Sequence, residues 1–69
     1  MQYKTIVLEL LEQRPKHYEE LRSQRKVLET LDRYAREFRD SHLEWQKTLP
    51  DDQAFEMALK ELEERLPPE

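Results

Sequence analysis

None of the 69 residues is glycine. Tight β-hairpins need positive φ at their turns, which glycine supplies most cheaply. A sheet protein without any glycine has few ways to reverse its strands. The chain is built instead from Leu, Glu, Arg, Gln and Lys, all good helix formers. An all-α fold is therefore expected. Charged residues reach 41% and hydrophobic residues 36%, a polar balance that disordered chains share. The large apolar residues nevertheless recur at helical spacing along most of the length, so packed helices are expected.

Prolines divide the chain. Pro15, Pro50 and the pair Pro67–Pro68 leave three segments. In the first, Tyr3, Ile6, Val7, Leu10 and Leu11 form the i, i+3, i+4 stripe of an amphipathic helix over about 2–13. A strand over Tyr3–Leu8 is the alternative, because Tyr, Thr, Ile and Val favour sheets, but it would have no second strand to pair with. In the second, Pro15 suits a first helical position and Arg14 before it is pushed out of the helical region. A heptad register then runs through Leu21, Leu28, Ala35, His42 and Leu49, with His17, Gln24, Leu31, Phe38 and Trp45 in the companion row. This predicts one helix over about 15–48, ~50 Å long. Ser41 with Glu44 could open a new helix as a capping box, but the register passes through Asp40–Ser41 without a shift, which favours continuity. In the third, Asp51 and Asp52 complement a helix N-terminus, and Phe55, Ala58, Leu59, Leu62 and Leu66 make an apolar face over about 51–66. Residues 67–69 are expected to fray.

These lengths predict a single domain over 1–66. Its three helices would form an elongated bundle, a long central helix with a shorter helix folded back on each half. Leu8, Tyr18, Val27, Tyr34, Leu43 and Met57 fall off the seam and would make a second apolar surface, the usual mark of an interface. With coiled-coil-like packing, a homodimer is expected whose long helices cross antiparallel, with Tyr18, Val27, Leu28, Leu31 and Tyr34 at or near the contact. Docking on another protein is the other use of such a surface.

The chemistry-bearing residues point away from catalysis. The chain has no cysteine, which closes thiolate zinc sites and disulfides. His17 and His42 sit on opposite halves of the predicted long helix, ~40 Å apart if it is straight, too far to share a metal. They read as polar seam residues. No Gly-rich phosphate loop can exist, and no His-acid pair surrounds Ser23 or Ser41. No enzyme activity, cofactor, metal or small-molecule substrate is expected. The aromatic stripe Phe38–Trp45 with Phe55 reads as core between helices.

Net charge is −4, unevenly spread: residues 1–50 hold ten Lys/Arg and nine Asp/Glu, residues 51–69 two and seven. The basic residues Arg22, Arg25, Lys26, Arg33 and Arg36 could track phosphates, which makes a nucleic-acid-associated accessory or regulator the alternative function. Glu29, Asp32, Glu37 and Asp40 are interleaved with them, the pattern of a solvated helix laced with i, i+4 pairs. The run Ile6–Val7–Leu8 is broken by Glu9, so neither a secretory leader nor a membrane span is expected. The stretches MQYKTIVLELLEQRP and ALKELEERLP resemble parts of short uncharacterised bacterial helical proteins. The resemblance covers less than half of the chain. It implies a natural bacterial, cytoplasmic protein and carries no activity with it. The favoured function is a non-enzymatic helical module for protein–protein interaction or oligomerisation.

Overall fold

The computed structural model describes residues 2–67. Four helices follow one another: α1 (Tyr3–Glu12), α2 (Pro15–Ser23), α3 (Val27–Trp45) and α4 (Asp51–Arg65). No strand forms among the described residues, so Tyr3–Leu8 is helical. The predicted long helix is two helices, broken at Gln24–Arg25–Lys26. The break is a Schellman motif. The Lys26 N–H reaches back to the Leu21 carbonyl at 2.8 Å and the Arg25 N–H to Arg22 at 3.1 Å. Arg25 takes the left-handed conformation this requires, with φ 57°. Because neither glycine nor proline marks the place, helical periodicity alone ran the register straight through it. Past the break, α3 is continuous through Asp40–Ser41 and ends at Trp45, three residues before the expected boundary.

The break changes which helices meet. Unbroken, the long helix would keep α1 on its first half. Instead Tyr3, at the start of α1, packs edge-on against Phe38 at 5.2 Å and bonds to His42, both in the C-terminal half of α3. The start of α4 reaches the same place, with Phe55 5.5 Å from Phe38 and 5.7 Å from His42. Lys4 pairs with Asp32, and Arg65 with Glu37, at lower numbers in α3. Both flanking helices therefore run against α3 along a shared stretch. The α2 helix closes one end, against α1 and α3. The shape is elongated, 40 × 20 × 15 Å.

The core follows the stripes. Val7, Leu10 and Leu11 come from α1, and Leu21 from α2. Leu31, Tyr34, Ala35 and Phe38 come from α3, while Ala58 and Leu62 come from α4 and Leu66 from its C-terminal edge. Phe38, Leu11 and Leu62 are almost wholly buried, each stabilising the fold by ~1.5–3 kcal/mol. Leu28, expected in the seam, is 78% exposed, because the register restarts at Val27 and turns it outward. Prolines set the remaining boundaries. Arg14, before Pro15, leaves the helical region at φ −123°, ψ 72°, as a residue preceding proline must. Leu66 is extended before Pro67. The Arg14 guanidinium caps the Leu10 carbonyl and donates to the Pro67 carbonyl at 3.1 Å, joining the end of α1 to the end of α4. Of the segment expected to fray, Pro68 and Glu69 lie outside the described residues.

Candidate functional site

Two groups of polar side chains and one exposed stripe are the places where chemistry or recognition could occur. The first group centres on His42, 2% exposed on the inner face of α3. Its Nδ1 lies 3.0 Å from the Tyr3 hydroxyl and its Nε2 3.1 Å from Asp51 Oδ1. One neutral tautomer satisfies both: Nε2–H donates to the Asp51 carboxylate, and Nδ1 accepts from Tyr3. Gln46 also donates to Asp51 Oδ1. The imidazole thus ties α1, α3 and α4 together at one level. Tyr3 and Phe55 close on it as rings at 6.0 and 5.7 Å. The polar seam residue expected at this position is a buried cross-link of three helices.

The second group joins α3 to α4. Glu61 accepts from Ser41 Oγ at 2.7 Å and from the Trp45 indole N–H at 2.8 Å. These two hydrogen bonds, Ser41 first, hold its carboxyl below the ordinary carboxylate range, and Arg65 adds to them against the opposing effect of burial. The same residues border an open groove with Glu37, Asp40 and Glu44. Ser41 spends its hydroxyl on this contact and not on starting a helix. Among the described residues no cluster of His, Asp or Glu could hold a metal ion, and no helix is long and apolar enough to cross a membrane. His17 is half-buried at α2, and its Nε2 has no hydrogen-bond partner among the described residues.

The expected interface residues do not form one surface. Leu31 and Tyr34 are buried in the core of this chain, and Tyr18 and Val27 are half-buried against it. Only Leu28 is open to solvent. Of the wider off-seam set, Leu8 and Met57 are half-buried too, and Leu43 is 51% exposed. Leu28 and Leu43 are the exposed large hydrophobics among the described residues, and both belong to α3. On an α-helix the positions 28, 32, 36, 39 and 43 fall within an arc of roughly 80°. Leu28, Asp32, Arg36, Arg39 and Leu43 therefore form one stripe. Its middle borders an open groove of ≈ 410 Å³, lined by Gln2, Tyr3 and Lys4 on one side and Asp32, Ala35, Arg36 and Arg39 on the other. Lys4 and Asp32 pair across it at 2.6 Å, and this contact, with a smaller contribution from Arg36, holds the Asp32 carboxyl below its ordinary range.

The basic residues are dispersed. Arg22, Arg25 and Lys26 are exposed around the α2–α3 turn, and Arg22 pairs with Glu19 at 3.6 Å. Arg33 is exposed on α3, its guanidinium 4.9 Å over the Tyr34 ring. Arg36 belongs to the groove. Sequence reasoning passed over Lys4 and the joint spacing of Leu28 with Leu43. That spacing becomes readable once α3 is known to begin at Val27. No family model, curated protein or solved structure matches the chain.

Proposed function

We propose that this chain is a non-enzymatic helical module that binds protein through the exposed stripe of α3. The observation that carries this reading is Leu28 at 78% exposure together with Leu43 at 51% on the same helical face. The two lie four turns apart on that face, and covering them in a complex would contribute up to ~1.5–3 kcal/mol for the exposed Leu28 and roughly half of that for the half-covered Leu43. A non-enzymatic role is supported by the use made of the buried polar groups. His42, Ser41, Trp45 and Glu61 spend their hydrogen bonds holding helices together. The resemblance of two of its stretches to bacterial helical proteins supports a bacterial, cytoplasmic setting.

Affinity capture from the chain's own host tests this. The tagged full chain should retain specific proteins, this chain or others, and the Leu28→Asp/Leu43→Asp variant should lose them. Identical retention by both would overturn the assignment. A second function, nucleic-acid association, is favoured by one observation: Arg25 holds a left-handed conformation in which glycine would be less strained, between the exposed Arg22 and Lys26. It predicts retardation of nucleic acid that fades steeply with salt and is lost in Arg25→Glu/Lys26→Glu.

A further inference from the structure

The α3 stripe is its own complement when reversed. Leu28 and Leu43, and Asp32 and Arg39, are two pairs centred on one point, the Ala35–Arg36 peptide bond. Two copies of α3 laid antiparallel about a two-fold axis there would set Leu28 against the second copy's Leu43 at both ends. Asp32 would face the second copy's Arg39, twice, by the same symmetry. Ala35 is buried in the core of its own chain, so Arg36 is the stripe residue beside the axis, and its long side chain would extend away from the second copy's Arg36 into solvent. We propose that this chain self-associates through α3 in this antiparallel, two-fold register. The proposal rests on the interaction reading above and names the partner as a second copy.

Three features favour this occupant. A closed two-fold interface must match a surface to itself, and few stripes on a charged helix do so in both shape and charge. The Leu–Asp–Arg–Arg–Leu order is apolar at its ends and carries both signs between, whereas a phosphate-tracking face would be basic throughout. Asp32 keeps about half of its side chain exposed beside its pair with Lys4, which leaves the carboxylate open to the incoming Arg39 guanidinium. Lys4 would remain on the far side of Asp32, so that the carboxylate serves both chains. The contact differs from the one expected from sequence. Tyr34 and Leu31 are committed to the core, which leaves Leu28 as the shared residue.

The full chain is tested by sedimentation equilibrium from micromolar to millimolar concentration. The mass should rise toward twice 8.5 kDa. Leu28→Asp and Leu43→Asp should each give a monomer across that range with unchanged helix content, since both positions are exposed. Direction is tested with cysteines, which the chain otherwise lacks. Under mild oxidation an equal mixture of Leu28→Cys and Leu43→Cys chains should form a mixed disulfide-linked dimer, because the two positions face one another. Neither variant alone should cross-link, because each would face its own copy ~22 Å along the helix, far beyond disulfide reach. A wild-type chain monomeric throughout, a dimer indifferent to Leu28→Asp, or a Leu28→Cys chain that links to itself as readily as the mixture would each overturn the proposal. A monomeric wild type that still loses host proteins on Leu28→Asp/Leu43→Asp would remove self-pairing alone and leave the interaction module standing.

Discussion

At the scale of single residues, three side chains do work that their types do not advertise. Arg25 sits where a Schellman motif usually has glycine. Its Cβ strains the left-handed backbone, while a glycine would lose more entropy on folding. Strain is the larger effect at φ 57°, so Arg25→Gly should stabilise the fold by ~0.5–1 kcal/mol in urea melts. His42 combines packing with hydrogen bonding. Removing the ring in His42→Ala leaves a cavity between Tyr3, Phe38 and Phe55, and should cost on the order of 2–4 kcal/mol. His42→Phe keeps most of the volume and leaves only partly exposed partners, Tyr3 and Asp51, to be rehydrated. It should therefore lose markedly less, and thermal melts of the two variants separate the contributions. Glu61 gives an acid dependence. Its folded carboxyl is depressed from the ordinary 4.5, so the unfolded chain binds the proton first as pH falls. The stability it adds is fully present above that value and is lost as pH drops through the folded value. Glu61→Gln should cost about 1 kcal/mol at pH 7, and its deficit against wild type should shrink below pH 4.5.

At the scale of elements, the helices differ in what holds them. None has a side-chain N-cap hydrogen bond, so their ends depend on other contacts. The α4 helix starts with Asp51 and Asp52, favourable to its dipole, and Asp51 also anchors to His42. The α1 helix has no acidic residue in its first turn, and is instead pinned by Tyr3 to His42, Lys4 to Asp32 and Arg14 to Pro67. A helix of 10 residues is marginal alone in water, so α1 exists because α3 covers its apolar face. The α3 helix is covered on two sides and bare on a third, the stripe from Leu28 to Leu43.

At the scale of the whole molecule, one central helix with two flanking helices makes the fold depend on every part. Ala54, Ala58 and Leu62 of α4, with Leu66 beyond its end, are buried. Without them Phe38, His42 and one face of α3 would be open to water. A chain of residues 1–48 should therefore be largely unfolded by circular dichroism, although it contains three of the four helices. Retention of native ellipticity and cooperative melting by that fragment would show that α1, α2 and α3 suffice. A core this small also explains why both polar groups lie between helices. With little apolar area to bury, hydrogen bonds such as those of His42 and Glu61 help select which helices pair and in what alignment.

Helical character, the extents of α1 and α4, and the boundaries at Pro15 and Pro50 were legible in the sequence. Each follows from local chemistry: helix formers without glycine, apolar residues at i, i+3 and i+4, and prolines that cannot continue a helix. The packing of Phe38 on Phe55 was legible too, because both aromatics lie on the apolar stripes of their helices. The break at Gln24–Lys26 was not. Its residues are ordinary helix formers, and the break goes with a packing in which α1 reaches Phe38 and His42 while Leu21 remains buried. The polar links were equally hidden. Tyr3 and His42 are 39 residues apart, and Ser41 and Glu61 are 20 apart. Periodicity reports which face of a helix is apolar, since that is set by neighbours a turn away. Which helix covers that face, and which polar side chains then meet, depends on contacts between distant parts of the chain and is decided only when all four helices pack together.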